Sequence, residues 1–303
     1  MKYLVFLFLI AFQAQGQEVL FDGHVYDSKT KEPIPYVNLS FLNTLKGTST
    51  DDNGHFYIDV QKSFLEKQLH ISSLGYKDTI VVAKDIYKVK QFHLVEESFE
   101  LDEVVVVQSL GNSNVLNPIS SYSLTSGFSS SSTPWVLALY FPNIGAQKKF
   151  ASKVTIFFQK DKNFKRPASK FRLRMYGVDV KTKKPNKDIL RKSIVLETQQ
   201  DKDYVSIDLE ALHIKIPKEG VYVGLEWLFV PYNWYVATLV HPLTNKKVTE
   251  DRFAPTFGGV YNKNQNYKAM VYGMGEWTDF TVKSKDKAKN FIPAISLKVS
   301  SKE

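Results

Sequence analysis

Hydrophobic and polar residues alternate over short runs in the first third of the chain, which is the pattern of half-buried β-strands. Such runs cover 37–42, 55–60 and 69–73. Turn-forming residues fill 31–35 and 50–54. The second of these turns contains an Asn-Gly dipeptide, which adopts positive φ readily and predicts a tight hairpin. Several short strands at this spacing predict a small antiparallel sandwich.

The same period of two continues through the second half of the chain. We predict strands at 135–141, 153–159, 171–180, 193–197, 204–209, 221–229 and 235–240, with a turn rich in lysine and proline at 182–188. In the third of these strands, Phe171, Leu173 and Met175 are predicted to face the core, with Arg172 and Arg174 facing outward. No segment keeps the helical period over three turns, so we expect a second, larger β-sandwich.

Residues 1–17 have the features of a signal peptide. Lys2 precedes an apolar run over 3–12, and Ala14 and Gly16 are the small residues of a cleavage site. The run is shorter than the roughly 20 residues of a membrane span, so no transmembrane span is expected. We therefore expect export, with a mature chain that begins at Gln17, to the periplasm or the outer membrane, or alternatively to the cell surface or medium.

The amino-acid composition limits the kinds of site that the chain can form. The chain has no cysteine, which excludes disulfides, thiolate metal sites and cysteine nucleophiles. Residues 18–107 carry a net charge of −6, and residues 108–303 carry +14. This asymmetry supports two domains. The basic half would suit an anionic glycan, lipopolysaccharide or another acidic partner, but single lysines in turns favour an ordinary solvated surface, and no nucleic-acid partner is expected.

The segment between the two halves is uncharged. Residues 108–133 include ten serines, which predicts a linker or irregular lead-in with one edge strand packed on the second domain. The preceding run at 101–107 is predicted to be the last edge strand of the first domain.

The N-terminal pattern resembles the carboxypeptidase regulatory-like domain of exported Bacteroidetes proteins, over about 18–107. The residues that carry the resemblance are Gly23, Val25, Asp27, Pro33, Ile34, Val37, Gly47, Thr48, Thr50, Asp51, Gly54, Phe56, Leu69, Ile71, Gly75 and Tyr76. The resemblance implies a small transthyretin-like Greek-key sandwich that carries no peptidase residues.

Residues 134–303 resemble uncharacterised Bacteroidetes proteins and, in fold, carbohydrate-binding jelly rolls. The matching residues are Phe171, Arg172, Arg174, Tyr176, Val178, Asp179, Pro185, Val205, Asp208, Leu209, Ile214, Ile216, Pro217, Gly220, Val221, Val223, Gly224, Glu226 and Trp227. The fold class predicted is therefore all-β, with a transthyretin-like sandwich followed by a larger jelly-roll-like sandwich.

Candidate catalytic and metal-binding residues are sparse. The six histidines show no zinc-site spacing, so neither a metal nor a cofactor is expected. Asp208 and Glu226 are the acids considered for a carbohydrate-active hydrolase, which needs two carboxylates across a sugar. We favour the alternative that Glu226 is an outward-facing residue paired with Arg172 or Arg174 on a neighbouring strand, and we expect no catalytic residues.

Aromatic residues in two loops indicate binding instead. Tyr232, Asn233, Trp234 and Tyr235 follow a proline, and Trp277 lies in a Gly-rich loop. If both loops meet at one end of the sandwich, they form a platform for a sugar or a peptide. We expect a non-catalytic binding or adaptor protein of the cell envelope that holds a glycan or an envelope protein, with the first domain pairing by a strand edge. The alternatives are a hydrolase and a purely structural envelope protein.

Overall fold

The computed structural model describes residues 17–97, 112–145, 148–159, 168–199, 202–240, 244–280 and 289–301. The predicted signal peptide, apart from Gln17, and the strand predicted at 101–107 lie outside these ranges. Within them the chain is almost entirely β-structure, and no helix has the length and apolar character needed to cross a membrane.

The N-terminal domain is a two-sheet sandwich with one short helix. Its elements are β1 (Glu18–Asp27), β2 (Asn38–Phe41), β3 (Gly47–Ser49), β4 (His55–Gln61), a 3₁₀ turn (Lys62–Glu66), β5 (Gln68–Ser72), β6 (Thr79–Val82), α1 (Ala83–Val89) and β7 (Gln91–Leu94). One sheet has the order β4-β1-β7, with β7 parallel to β1, and the other has the order β3-β2-β5-β6.

The apolar positions of the predicted strands form the core of this domain. Phe56 and Val60 on β4 face Leu69 and Ile71 on β5, and all four are buried. The polar residues between them on β4 are half-buried or exposed, as the period of two predicts. The fold class inferred from the alternation is confirmed.

The turn at 50–54 differs from its predicted form. Gly54 has a φ of +71°, and its N–H donates to the carbonyl of Asp51 at 3.1 Å, so a tight turn is present. However, β3 pairs with β2 and β4 pairs with β1. The turn therefore carries the chain from one sheet to the other, and the predicted hairpin is wrong because the sequence pattern does not specify which strands pair.

The C-terminal domain is a larger β-sandwich. Its strands are β8 (Ser113–Leu116), β9 (Ser126–Ser130), β10 (Val136–Phe141), β11 (Lys149–Phe157), β12 (Lys170–Val178), β13 (Pro185–Asp188), β14 (Ile194–Glu197), β15 (Tyr204–Asp208), β16 (Val221–Trp227), β17 (Trp234–Val240), β18 (Lys247–Asn262), β19 (Ala269–Gly273), β20 (Glu276–Asp279), β21 (Asn290–Pro293) and β22 (Ile295–Ser301). Three 3₁₀ turns occupy Ser121–Ser123, Glu210–Leu212 and Pro231–Asn233.

Three sheets build this sandwich. The largest has the order β13-β12-β16-β10-β19-β20, with β14 also paired to β12. The second has the order β15-β11-β22-β8, and the third has the order β17-β18-β21 with β9 paired to β18. Phe171, Leu173 and Met175 on β12 are fully buried in the core, as predicted. The assignment of this sandwich as a jelly roll stays a prediction.

The described part of the serine-rich segment is more ordered than a lead-in with one edge strand. It supplies two strands, because β8 pairs with β22 and β9 pairs with β18. The turn predicted at 182–188 likewise ends in β13, which pairs with β12. In both places polar residues form edge strands, where one side of the strand faces solvent and hydrophobic alternation is weak.

Candidate functional site

A buried carboxylate lies where the two domains meet. Glu226 is on β16, directly opposite Arg172 on β12, and both side chains are 0% exposed. Its neighbour Leu225 points into the core of the C-terminal sandwich, so Glu226 points out of that sandwich, against the N-terminal domain. Arg172 Nη1 donates to Glu226 Oε1 at 2.9 Å, and Arg174 Nη1 donates to Oε2 at 2.8 Å.

The N-terminal domain completes this cluster. The Asn38 side-chain amide donates to Glu226 Oε1, and its carbonyl oxygen accepts a hydrogen bond from Ser49 Oγ at 2.8 Å. Arg172 uses Nη2 to donate to the backbone carbonyl of Tyr36 at 2.5 Å. A buried ion pair is tolerated when its remaining donors and acceptors are satisfied, and here residues of both domains satisfy them.

The arginines set the charge of the carboxylate. Burial alone raises the pKa of Glu226, but Arg172 and Arg174 more than offset it, and the net pKa lies below the ordinary value of 4.5. Arg174 also donates from Nε to Asp188 at 2.5 Å. The cluster therefore contains two cations and two carboxylates, and it stabilises the ionised form of Glu226.

The two carboxylates considered for hydrolysis, Glu226 and Asp208, lie in different surroundings. The predicted pairing of Glu226 with Arg172 or Arg174 is confirmed, since both arginines bind it. Glu226 faces outward from its own sandwich, as predicted, but it is not at the protein surface, because the N-terminal domain covers it. Asp208 is exposed on β15, at the edge of the second sheet, so the two acids do not face each other across a cleft.

A second contact joins the domains beside this cluster. The backbone N–H of Phe229 donates to Ser49 Oγ at 3.0 Å, and Ser49 N–H donates to the Phe229 carbonyl at 3.3 Å. A Cβ atom on Gly47 would lie 2.8 Å from Thr133 Oγ1 and 2.9 Å from Pro134, so glycine allows this close approach. Strand β3 is therefore held against the C-terminal domain by main-chain and side-chain hydrogen bonds.

A third contact surrounds Lys170. Its Nζ donates to the hydroxyl of Tyr36 at 2.8 Å and lies 3.3 Å from Asp52, both in the N-terminal domain. The ammonium also lies 5.5 Å from the ring centroids of Tyr36 and Tyr232. These hydrogen bonds raise the pKa of Lys170, the largest contribution being the Tyr36 hydroxyl. The lysine thus contacts both domains as a cation.

An open cavity of about 560 Å³ lies between the domains, next to these contacts. We call it the interdomain cleft. It is lined in the N-terminal domain by Lys46, Gly47, Thr48, Ser49, Asp51, His55, Tyr57 and Ile58, and in the C-terminal domain by Ser131, Ser132, Phe229, Pro231, Trp234, Asp251 and Phe253. Its volume is within the range of about 300–1,000 Å³ that is typical of small-molecule sites.

Aromatic side chains give the cleft its apolar surface. Phe229 and Phe253 stack with their ring centroids 3.9 Å apart. Trp234 lies directly opposite Phe253 in the β17–β18 ladder and is 50% exposed. Tyr57, on the wall made by the N-terminal domain, is 48% exposed. The cleft therefore presents two large rings that the fold itself does not bury.

The five residues predicted to bind a ligand lie in different surroundings. Trp234 lines the cleft. Tyr232 is exposed and donates from its hydroxyl to Glu197 at 2.5 Å. Asn233 is 1% exposed, and its amide bonds the backbone of Lys170 in both directions. Tyr235 is half-buried on the face of β17 opposite to Trp234. A ligand role for each of these residues stays a prediction.

Trp277 lies elsewhere on the C-terminal sandwich. It is half-buried on β20, and its ring centroid is 5.2 Å from that of Tyr176 and 5.3 Å from that of Tyr272. Trp277 does not line the cleft that Trp234 lines, and a joint platform of the two aromatic loops stays a prediction. The N-terminal wall of the cleft is not predicted by the sequence, because Tyr57 shows only the pattern of an exposed strand position.

In the ranges that the structure describes, no three histidine, aspartate or glutamate side chains come together in a group suited to a metal ion.

Comparison with a family model supports the assignment of the first domain. Residues 21–106 match the CarboxypepD_reg-like domain, which confirms the resemblance inferred for the N-terminal module. A search of curated proteins found no match.

Among solved structures, the chain is similar to a clostridial cysteine protease, Cwp84, after propeptide cleavage, with a TM-score of 0.39, 10% identity, and coverage of 93% of this chain and 70% of that one. It is also similar to the cysteine protease and lectin-like domains of Cwp84, a surface layer associated protein of Clostridium difficile, with a TM-score of 0.37 and 9% identity. That match covers 93% of this chain and 58% of the other. Likenesses at this level do not establish a shared function.

We predict that Glu226→Gln lowers the free energy of unfolding by about 3–5 kcal/mol, because it leaves Arg172 and Arg174 buried beside a neutral group. Urea denaturation of both proteins at neutral pH measures the change. Glu219→Gln, at an exposed position, is the matched control. A loss no larger than that of the control would show that the cluster does not stabilise the fold.

The lowered pKa of Glu226 also predicts that the free energy of unfolding depends on pH. The folded-state pKa of Glu226 lies below 4.5, so the unfolded state binds the proton more readily. The stability due to the ionised carboxylate is therefore complete above this value and is lost as the pH falls through the folded-state pKa. We expect the stability difference between wild type and Glu226→Gln, measured by urea denaturation, to stay constant from pH 6 to about pH 5 and to shrink as the pH falls below 4.5. A difference that stays constant or grows in that lower range contradicts this assignment.

Proposed function

We propose that the protein is an exported, non-catalytic binding protein of the cell envelope that holds a glycan in the interdomain cleft. The observation that carries the proposal is Trp234, a half-exposed tryptophan at a cleft that two domains build together. Full burial of a large aromatic ring stabilises a fold by several kcal/mol, so a ring left open in a cleft is available for a ligand.

The chemistry of the cleft suits a sugar. A pyranose presents an apolar face that packs on an aromatic ring and hydroxyl groups that need polar partners at its edges. Trp234 and Tyr57 provide rings on opposite walls, and the indole N–H of Trp234 has no hydrogen-bond partner within the described residues. Ring stacking combined with a few polar contacts is the usual composition of a small-molecule site.

The polar partners are also present. Ser131 and Ser132 line the cleft with hydroxyl groups, and Lys46 and Asp251 line it with charged groups. Among the residues that the structure describes, neither the ammonium group of Lys46 nor the carboxylate of Asp251 forms an ion pair or a hydrogen bond. These groups can therefore bond the hydroxyls of a ligand without first breaking contacts within the protein.

The connection between the domains supports a preformed site. The reciprocal hydrogen bonds between Ser49 and Phe229, together with the buried cluster at Glu226, hold one wall of the cleft against the other. A wall that is already in place loses little conformational entropy when a ligand binds. In this proposal the N-terminal domain takes a direct part in binding, in addition to the protein contacts expected of its strand edges.

The absence of catalysis is part of the proposal. Of the two acids considered for hydrolysis, Glu226 is covered by the N-terminal domain and Asp208 lies on another sheet. Export is proposed from the apolar run at 3–12 and the small residues that follow it.

An extended peptide of an envelope protein is the second candidate ligand. Strand β17 continues from Trp234 along the edge of its sheet, and Val236 and Val240 on the same face are 49% and 60% exposed. A strand edge beside apolar side chains suits pairing with an extended chain. A glycan would use the rings and hydroxyls of the cleft, whereas a peptide would also use this edge.

We predict that the mature protein binds glycans on a polysaccharide array and that Trp234→Ala weakens binding to the best glycan by ~2 kcal/mol or more, roughly thirtyfold in Kd, by calorimetry. Tyr204→Ala is the matched control, because that ring is similarly exposed, at 47%, and does not line the cleft. The control should bind like the wild type.

Three other results would contradict the proposal. A folded wild type that binds no glycan would exclude this ligand class, and binding to peptide arrays that Val236→Thr weakens would favour the second candidate. Equal losses in Trp234→Ala and Tyr204→Ala would show that the site is not in the cleft.

A further inference from the structure

The outer face of the β4-β1-β7 sheet carries a row of rings. Along the row, the ring centroid of His55 is 6.1 Å from Tyr57 and 4.7 Å from His24. The row continues with Tyr26, 5.9 Å from His24, and His93, 5.7 Å from Tyr26. These side chains are half-buried or exposed, so the row faces solvent. The shortest spacing in it joins two histidines.

His24 and His55 lie directly opposite each other on β1 and β4. The backbone N–H of His24 donates to the carbonyl of Lys90 at 2.9 Å, and that of His55 donates to Asp51 Oδ1 at 3.0 Å. Neither N–H bonds the opposite histidine, so the two form a non-hydrogen-bonded pair. In such pairs the side chains approach most closely, which places the imidazoles side by side.

The ring nitrogens of this pair are available. Within the described residues, neither imidazole has a hydrogen bond or an ion pair. His70 differs in this respect, because its Nε2 lies 3.2 Å from the carboxylate of Asp78. An imidazole on a sheet surface with no partner keeps a lone pair that can bind a proton or a metal ion.

We propose that His24 and His55 together form a binding site for a divalent transition-metal ion, with Cu²⁺ bound most tightly. Two imidazoles that bind one ion at about 2.0–2.1 Å in adjacent positions place their ring centroids roughly 4.5–5.2 Å apart. The observed separation of 4.7 Å lies within this interval. Imidazole suits Cu²⁺, Ni²⁺ and Zn²⁺, and affinity for such sites is highest for Cu²⁺.

The site is open, with water in the remaining coordination positions. No third ligand from the described chain joins the pair in a metal-binding group. Asp22, two residues before His24 on the same face, lies 2.8 Å from the ammonium of Lys90. Residues 18–107 carry a net charge of −6, which favours the approach of a cation. His55 also lines the interdomain cleft, so the bound ion would lie at its margin.

The test is titration of the mature, tag-free protein with Cu²⁺ at neutral pH, followed by calorimetry and by electron paramagnetic resonance. The variants His24→Phe and His55→Phe keep a ring in place but remove its nitrogens, and His93→Phe is the matched control on the same face. Thermal unfolding without metal verifies each fold, and asparagine replaces phenylalanine at any position where the fold is lost.

We expect one Cu²⁺ with two equatorial imidazole nitrogens in the wild type and in His93→Phe. Each of the other variants should bind at least roughly tenfold more weakly, since even a change to a residue that only supports a ligand costs ~10–100-fold. Unchanged affinity in either His24→Phe or His55→Phe, or an equal loss in His93→Phe, would overturn the proposal. These results do not depend on whether the cleft binds a glycan.

Discussion

The architecture depends on one buried carboxylate. Glu226 lies on the outer face of the C-terminal sandwich, between Arg172 and Arg174, and the N-terminal domain covers it with Asn38. Separation of the domains would expose this network to water and break the hydrogen bonds that satisfy it. A charge cluster of this kind adds little net stability over an apolar contact, but it tolerates few arrangements. It therefore fixes how the two domains lie against each other.

The interdomain cleft follows from that arrangement. Strand β3 bonds to Phe229 beside the cluster, and this contact places Tyr57 of one domain across from Trp234 of the other. Neither domain alone would enclose the cavity. The N-terminal domain thus provides half of the proposed site and also carries the histidine pair at its margin.

The alternation of hydrophobic and polar side chains predicted much of this fold, because every second residue of such a strand is buried. Phe171, Leu173 and Met175 face a core, and a period of two records that directly. The same period marked Arg172 and Arg174 as outward, which is correct for one sandwich, but it cannot show that another domain covers them. Contacts between segments that are far apart in the sequence likewise leave no pattern in the local sequence. The histidines at 24 and 55 show no metal-site spacing, since strand pairing alone brings them together.

The most direct test of a fixed arrangement is the distance between the domains in solution. The chain has no cysteine, so Lys88→Cys and Lys153→Cys, both at exposed positions, give two clean sites for spin labels, one in each domain. Double electron–electron resonance should show one narrow distance distribution in this protein and a broader one when Glu226→Gln is added. A broad or multi-peaked distribution with Glu226 intact would show that the domains move independently and that the cleft is not a preformed site.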